Sequence, residues 1–521
     1  MFGFGKKENE QNFDSVTSDV GSLNINKVQS EVSEAQDRDL VSMRDNGDSQ
    51  NPTSTSPENF IQEFQPSGTS VQKEQIKLGS LSATTADDRD AGANTLVSQP
   101  INPIALAPRP TDIDETGLSE NLLLDLLLKT LNLHGASSVP ALCNHLALSG
   151  GVIKGLIEIG KSKSLIENTS RNLQGEIRFD ISHIGSIQAE KAMLKSGYIG
   201  VAPVPIKQYH KVCRAQSNRS EPVTEKVFNQ AFAGVNFADD LVENVGPALN
   251  SSKPILIYGL PGTGKSFFCR QLNKIFGDNV LIPNAIEVNN EIIQVFDPEI
   301  HQSVESKPDQ QSLLKLDSGH DPRWVLCKRP LVVTGGELHL DMLETKFDAN
   351  SRTYRAPLQV KANNGILLLD DLGRQKVSPK ELFNRWIIPL EERRDFLSLI
   401  SGLHFEVPFE LMMLFSTNLD PSELIDDAFL RRLGYKIPFA PMDQNQYSQV
   451  WYQACDEFGI NCPETDFNYL IENLHRKYNK AFLPCYPRDL LSIMGDQMAF
   501  KTLERQVSQE LLDFAWKSYF V

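Results

Sequence analysis

The chain has 521 residues, 40% of them apolar and 23% charged, a soluble globular composition long enough for two or three cored domains. A net charge of −16 excludes nucleic-acid or membrane binding by bulk electrostatics alone. The seven cysteines (Cys143, Cys213, Cys269, Cys327, Cys455, Cys462, Cys485) show no CxxC or His/Cys ligand spacing, which argues for reduced thiols and against a disulfide framework or a zinc site.

Residues 1–117 carry 19 acidic and 9 basic side chains, a balance of −10. They are rich in Ser, Asp, Gln, Asn, Thr and Glu, lack a sustained apolar period, and end in the proline-spaced "SQPINPIALAPRPTDIDETG". So little apolar surface cannot offset the entropy of ordering, and a disordered tail and linker is expected over 1–117. The opening "MFGFGKKENEQ" turns acidic at once and lacks a signal-peptide core. No apolar run reaches the ~20 residues of a membrane span, since "NLLLDLLLKTL" is short and carries Asp125. A cytoplasmic protein without membrane insertion is expected.

Residues 118–219 hold 7 acidic and 12 basic side chains, so this segment, at +5, is the only basic one. A leucine-rich helix (Leu122–Leu131) precedes "SSVPALCNHLALSGGVIKGLIEIGKSKS". Ser138 fits an N-cap, Leu142, Leu146 and Leu148 an apolar face, and Ser149-Gly150-Gly151 a turn. A second helix then buries Val152, Ile153, Leu156 and Ile157. "SLIEN", "RNLQG" and "EIRFDIS" read as strand, turn and strand. Helix, helix–turn–helix and β-hairpin in this order resemble a winged-helix domain.

Residues 220–250 read as a linker helix, 251–440 as alternating strands and helices, and 441–521 as a helical domain. The apolar strand "PILIY" leads into Gly259-Leu260-Pro261-Gly262-Thr263-Gly264-Lys265-Ser266, which fits GxxxxGK[ST], and a helix opens with Phe267. The glycines let backbone N–H groups close round phosphates, Lys265 reaches the β- and γ-phosphates, and the Ser266 hydroxyl ligates Mg²⁺. ATP and Mg²⁺ are therefore the expected ligands, held by residues 259–267. In "NNGILLLDDLGR", Ile366–Leu369 read as a buried strand that delivers Asp370 to the metal and Asp371 to the attacking water.

With "ELMMLFSTNLD", "DDAFLRRLGYKIPF" and "CYPRDLLSIM" added, residues 225–521 resemble the AAA+ ATPases. The resemblance implies an α/β P-loop domain with a parallel sheet and a C-terminal helical lid, working as a ring or helical homo-oligomer, such as a hexamer. It places Asn418 at the sensor-1 position, Arg431 and Arg432 at the arginine-finger position, and Arg488 at sensor 2. The catalytic set it implies is Asp371, Asn418, Arg431 and Arg432, with Arg488 closing over the nucleotide. One departure is that Asp371 stands where most of the family has Glu; its shorter carboxylate still accepts a hydrogen bond from water, and a slow or inactive site stays open as an alternative. "GGELHLDMLETKFDANSRTYRAPLQVKANNG" and "PLEERRDFLSLISGLHFEVPFE" are similar to the extra hairpins of the MoxR, magnesium-chelatase and σ54-activator branch, which face a pore or client; ordinary edge hairpins are the alternative.

Arg374, Arg385, Arg393 and Arg394 for the most part fit a solvated charged face, with action between subunits as the alternative. His134, His145, His301, His320, His339 and His404 lack metal-ligand or triad spacing. In the basic segment, Lys154, Lys161, Lys163, Arg171, Arg178, Lys191 and Lys195 supply charge, yet the second helix lacks the Arg, Asn or Gln that reads a groove. Lysine charge alone binds phosphate without sequence preference. The expected function is an ATPase motor or remodelling factor acting on a protein client. The alternative is a DNA-associated nucleotide switch that binds DNA through 118–219.

Overall fold

Every residue of Ile255–Tyr258 (β1) is apolar, the pattern of a strand covered on both faces. In the computed structural model it lies in a parallel sheet with Leu331–Thr334 (β2), Ile366–Leu369 (β3), Met412–Thr417 (β4) and Tyr435–Pro438 (β5), in the order β2-β3-β4-β1-β5. The structure describes residues 103–520 except 172–175, 218–221, 235–238, 252, 305–318 and 425–426. The tail expected over 1–102 lies outside these residues.

Alternation along the strands feeds two cores. Leu367 and Leu369 of β3 join Leu256, Met413 and Phe415 against Leu382, Phe383 and Trp386 of the helix Pro379–Glu392. Ile366 and Leu368 join Ile255, Ile257 and Leu414 against Phe228, Phe232, Phe268 and Leu272. The helix Pro379–Glu392 starts where it does because Ser378 and Glu381 form a reciprocal capping box ahead of Pro379. Beyond β5 come the helices Gln444–Phe458, Glu464–Tyr469 with its π-helical continuation Leu470–Arg476, Cys485–Lys501 and Gln509–Tyr519. They close on Trp451, Leu470, Leu490, Met494 and Trp516. An α/β P-loop domain with a helical C-terminal part is the observed fold class.

In the basic segment, helices Glu120–His134, Val139–Leu146 and Gly150–Ser162 precede the hairpin Ile166–Arg171/Ile177–Ile181, which Ser137–Ser138 extends to three strands. Ser138 occupies the N-cap position without a side-chain cap bond, whereas Ser149 caps the third helix through Val152 N–H. A further helix, His183–Lys195, packs on the first. Its sparse apolar period hid it in the sequence.

Two boundaries move. Chain order begins before 117: Pro103–Leu106 is helical, Ala107 is fully buried, and its carbonyl accepts from Asp321 N–H at 2.8 Å. The expected linker is thus partly folded, because Ala107, Ile113 and Leu118 each find an apolar seat. Residues 204–215, assigned by sequence to the winged-helix-like segment, instead join a β-rich module inserted within 251–440. Val204–Pro205 forms the edge of a five-stranded sheet that continues through Ala285–Val288, Glu291–Gln294, Thr353–Arg355 and Lys346–Asp348. Asn279–Pro283 pairs with Trp324–Lys328, and Arg394–Ser398 with His404–Pro408. Val204, Tyr209, Val280, Ile286, Trp324 and Val407 share one core. Both hairpins noted in the sequence therefore pack into this module; the tip of the second leaves Ile400 exposed.

Arg323 ties the pieces together. It pairs with Asp321 at 2.8 Å, both side chains fully buried, and donates to the carbonyls of Thr116 and Pro203 at 3.1 Å each. Arg323→Met strands the Asp321 carboxylate without its partner and is expected to destabilise the protein by about 3–5 kcal/mol, read from chemical denaturation.

Candidate functional site

The turn after β1 depends on glycine at three positions. Gly259, Gly262 and Gly264 have φ of 147°, 84° and 89°, values that side chains with a Cβ resist. A Cβ on Gly259 would sit 2.3 Å from the Phe439 carbonyl, and one on Gly262 2.6 Å from Cys485 Sγ. The loop is thus wedged between the end of β5 and the start of the helix Cys485–Lys501.

Lys265 opens the helix Lys265–Gln271 and is only 5% exposed. Its ammonium donates to the carbonyls of Gly259 (2.9 Å) and Leu260 (2.8 Å) and to Thr263 Oγ1 (3.4 Å). Burial pulls its pKa below the ordinary lysine value, against the opposing pull of Asp371 and Asp370. Ser266 Oγ donates to Asp370 Oδ1 at 2.9 Å, and Arg270 Nη2 stands 4.0 Å from Asp370 Oδ2. One hydroxyl facing one carboxylate fits Mg²⁺, which keeps most of its waters and takes few protein ligands.

Asp371 turns the other way. Its φ is 52°, and its Oδ1 accepts from Asn418 Nδ2 at 3.0 Å. Leu372 N–H bonds to the Ser416 carbonyl and Thr417 Oγ1 to the Leu372 carbonyl, each at 2.8 Å, which anchors this turn on β4.

Above the loop lies a cavity of about 750 Å³ lined by Pro261–Phe267, Asp371, Asn418, Pro438–Met442, Gln453, Glu457 and Arg488. Its size is that of a small-molecule site. Arg488 donates to Glu457 Oε2 at 2.6 Å. Gly259 and Leu260 bound the loop without lining the cavity. Sequence reading missed the far wall, Gly234, Leu241, Asn244, Val450 and Ala454. The expected linker helix is two helices, Glu225–Ala231 and Asp239–Asn250, and the wall comes from the second of them, from Gly234 after the first, and from the helical domain. A lead was available in "PFAPM", a proline-rich turn directly after the last strand.

A parallel sheet with a phosphate loop after β1, acids after β3, an amide after β4 and a helical domain over the cavity is the arrangement the resemblance implied. The chain has an α/β P-loop fold with a helical C-terminal part. Arg431 and Arg432 do not line its cavity: Arg431 is exposed, and Arg432 bonds Glu391 at 2.6 Å. Of the remaining arginines, Arg374 is exposed, Arg393 ends the helix Pro379–Glu392 in a left-handed conformation, and Arg394 pairs with Glu392 and Glu406. Arg385 departs from a solvated face, since it holds the buried Asp395 at 2.6 Å as well as Glu344. His134 stacks on His145 at 4.1 Å, and His301 accepts from Asp297 N–H at 2.9 Å.

Solved structures similar to this chain include a variant of RuvB, the Holliday junction branch migration motor of Thermotoga maritima, at 10% identity over 54% of this chain and 69% of that one, with a TM-score of 0.32. NtrX from Brucella abortus matches at 11% identity over 56% of this chain and 58% of that one, TM-score 0.35. A complex of the magnesium chelatase subunits BchI and BchD matches at 15% identity over 53% and 88%, TM-score 0.26. A family described as a domain of unknown function (DUF8689) matches residues 443–518, within the helical domain. No curated protein matches the sequence.

Gly259→Ala drives a methyl into the Phe439 carbonyl at a φ that alanine disfavours, a strain of about 1–3 kcal/mol. A thermal melt is expected to show the loss, while Gly277→Ala, whose Cβ would meet open space, leaves the midpoint nearly unchanged.

Proposed function

We propose that this chain is an ATP-hydrolysing AAA+ ATPase that acts as a homo-oligomer on a protein partner, with residues 118–219 as the docking or assembly segment. The observation that carries the reading is the division of labour between neighbouring acids: Asp370 bonds Ser266, and Asp371 bonds Asn418 at the cavity wall. When bound, Mg²⁺ would be held by Ser266 and Asp370 and would supply charge neutralisation at the transferring phosphoryl.

The chain's own groups account for the rest. Lys265, now on loop carbonyls, swings to the β/γ-phosphate oxygens, where its charge is worth more. Asp371 accepts a hydrogen bond from the attacking water, and Asn418 fixes the direction of that carboxylate. Arg488 leaves Glu457 as the helical domain closes. Arg431, exposed and away from its own cavity, is better disposed than the paired Arg432 to reach a neighbouring subunit. Head-to-tail contact of that kind builds closed rings or helices.

A protein partner is favoured over DNA by the third helix of the basic segment. Thr111 and Ile113 lie against its Gly151 and Gly155, so the chain itself covers part of the face that would enter a groove. Lys161 is paired with Glu158 and Lys163 with Glu120. The DNA-switch reading retains the exposed Lys154, Lys191 and Lys195, and salt-dependent binding of duplex DNA to the whole protein would favour it. No helix of the described residues is long and apolar enough to cross a membrane, and the cytoplasm is the proposed compartment.

Asp371→Asn is expected to bind ATP with parental affinity and to lose turnover, because Asp370 keeps the metal while the water loses its acceptor. Nucleotide titration beside a phosphate-release assay checks both halves.

Arg431→Ala is expected to keep ATP affinity and lose roughly 10³-fold in turnover, and Lys265→Ala to lose ATP binding. Mixing the two restores part of the activity at interfaces that join an intact loop to an intact arginine. A mixture that exchanges subunits and stays inactive would rule out the trans arginine.

A further inference from the structure

Asp371 makes a demand on the backbone that its sequence alone does not meet. Aspartate enters the left-handed region more readily than most residues with a Cβ but still favours negative φ, and Asp371 is held at φ 52° between the end of β3 and Gly373 at φ 101°. This turn aims the carboxylate at Asn418, 3.0 Å away. An aspartate is one methylene shorter than the glutamate that the resemblance led one to expect. Its reach therefore depends on where the backbone puts its Cβ.

The side chain of Gln375 grips that turn from outside the strand. Its Nε2 donates to the carbonyl of Asp370 at 3.0 Å and to that of Asp371 at 3.2 Å. Its Oε1 accepts from Gly373 N–H at 2.8 Å. Only one orientation of the amide meets two carbonyls with its donors and one N–H with its acceptor, so the group is specific to this backbone path. The bonds bracket Asp371 on both sides, whereas the anchors on β4 begin only at Leu372. The Asp371 carbonyl also accepts from Arg374 N–H at 3.1 Å, a main-chain contact within the turn.

We infer that Gln375 is a positioning residue: its amide clamps the left-handed turn at Asp371, so that the short carboxylate stands where it can orient the attacking water. The inference rests on the reading of Asp371 given above. Without the clamp, Asp371 relaxes toward negative φ and its carboxylate swings off Asn418, which disturbs the water while leaving the phosphate loop and the Ser266–Asp370 contact in place. A longer glutamate reaches the same point from the relaxed backbone, so the need for Gln375 and the need for a short acid are coupled.

The test uses the full chain, with ATP affinity, single-turnover hydrolysis and thermal midpoint measured for each variant. Gln375→Ala is expected to bind ATP like the parent and to hydrolyse it roughly 10²-fold more slowly, the cost of an ångström-scale misplacement. Adding Asp371→Glu to Gln375→Ala restores much of the rate, so that the two substitutions are far from additive. A Gln375 that served only loop stability would lower midpoint, affinity and rate together, and glutamate would not rescue it; that result overturns the inference. Gln375→Ala at the parental rate while Asp371→Asn is inactive overturns the inference alone. Asp371→Asn at the parental rate overturns the reading of Asp371 and the inference with it. Should Gln375→Ala fail to fold, Gln375→Met, which keeps the length and loses the amide, decides by the same readouts; an unfolded methionine variant makes Gln375 a folding residue and also overturns the proposal.

Discussion

Two adjacent aspartates at the end of one buried strand must face different partners, and the candidate site is arranged around that requirement. In an extended strand, Asp370 and Asp371 would alternate across the sheet, one of them into a packed core. The chain leaves the strand at that point. Asp370 stays in line with β3 and meets Ser266 from the phosphate-loop helix, and Asp371 enters a left-handed turn and meets Asn418 from the end of β4. The sheet order supplies the distances: β4, beside β3, ends at Asn418, and β1, one strand further across, leads into the helix that carries Ser266.

Much of this was legible in the sequence because the relevant signals are local. Four consecutive apolar residues before two acids, a glycine-spaced turn before Lys265 and a polar Asn418 after a six-residue buried strand each carry their meaning within a dozen positions. The inserted β-rich module was not legible for the opposite reason. Its strands are two to five residues long, too short for a period, and Val204–Pro205 finds its partner at Ile286–Glu287. Arg385 misled in the same manner: its charge reads as surface, and the Asp395 that buries it lies on a different element. The far wall of the cavity comes from residues before β1 and after β5, which only the fold brings together.

The basic segment does not stand apart from the nucleotide domain as separate boundaries would imply. The described residues belong to one compact unit, Asn94–Val521. Arg323 reaches back to Thr116 and Pro203, and Arg329 bonds the carbonyls of Gln216 and Asn364 while pairing with Asp278 at 2.6 Å. Asn364 lies two residues before β3 and also donates to the Cys213 carbonyl at 2.7 Å. A displacement of the strand that ends in Asp370 is thereby felt by the helix Ile206–Ala215 through hydrogen bonds that are costly to break in a buried setting. Those bonds tie the β-rich module to β3, and Arg323 ties the same module to the start of the basic segment, a mechanical connection that a flexible linker would lack.

Both cations on the cavity wall already have partners within the chain, Lys265 in carbonyls of its own loop and Arg488 in Glu457. Ligand binding is then an exchange reaction, in which each new anion contact displaces an existing one. A small anion that engages a single cation swaps one set of bonds for another with little net gain. On the proposed reading, a polyphosphate long enough to recruit both cations at once would recover both exchanges for one loss of translational freedom, so that discrimination against inorganic phosphate would follow from these existing bonds as much as from the shape of the loop.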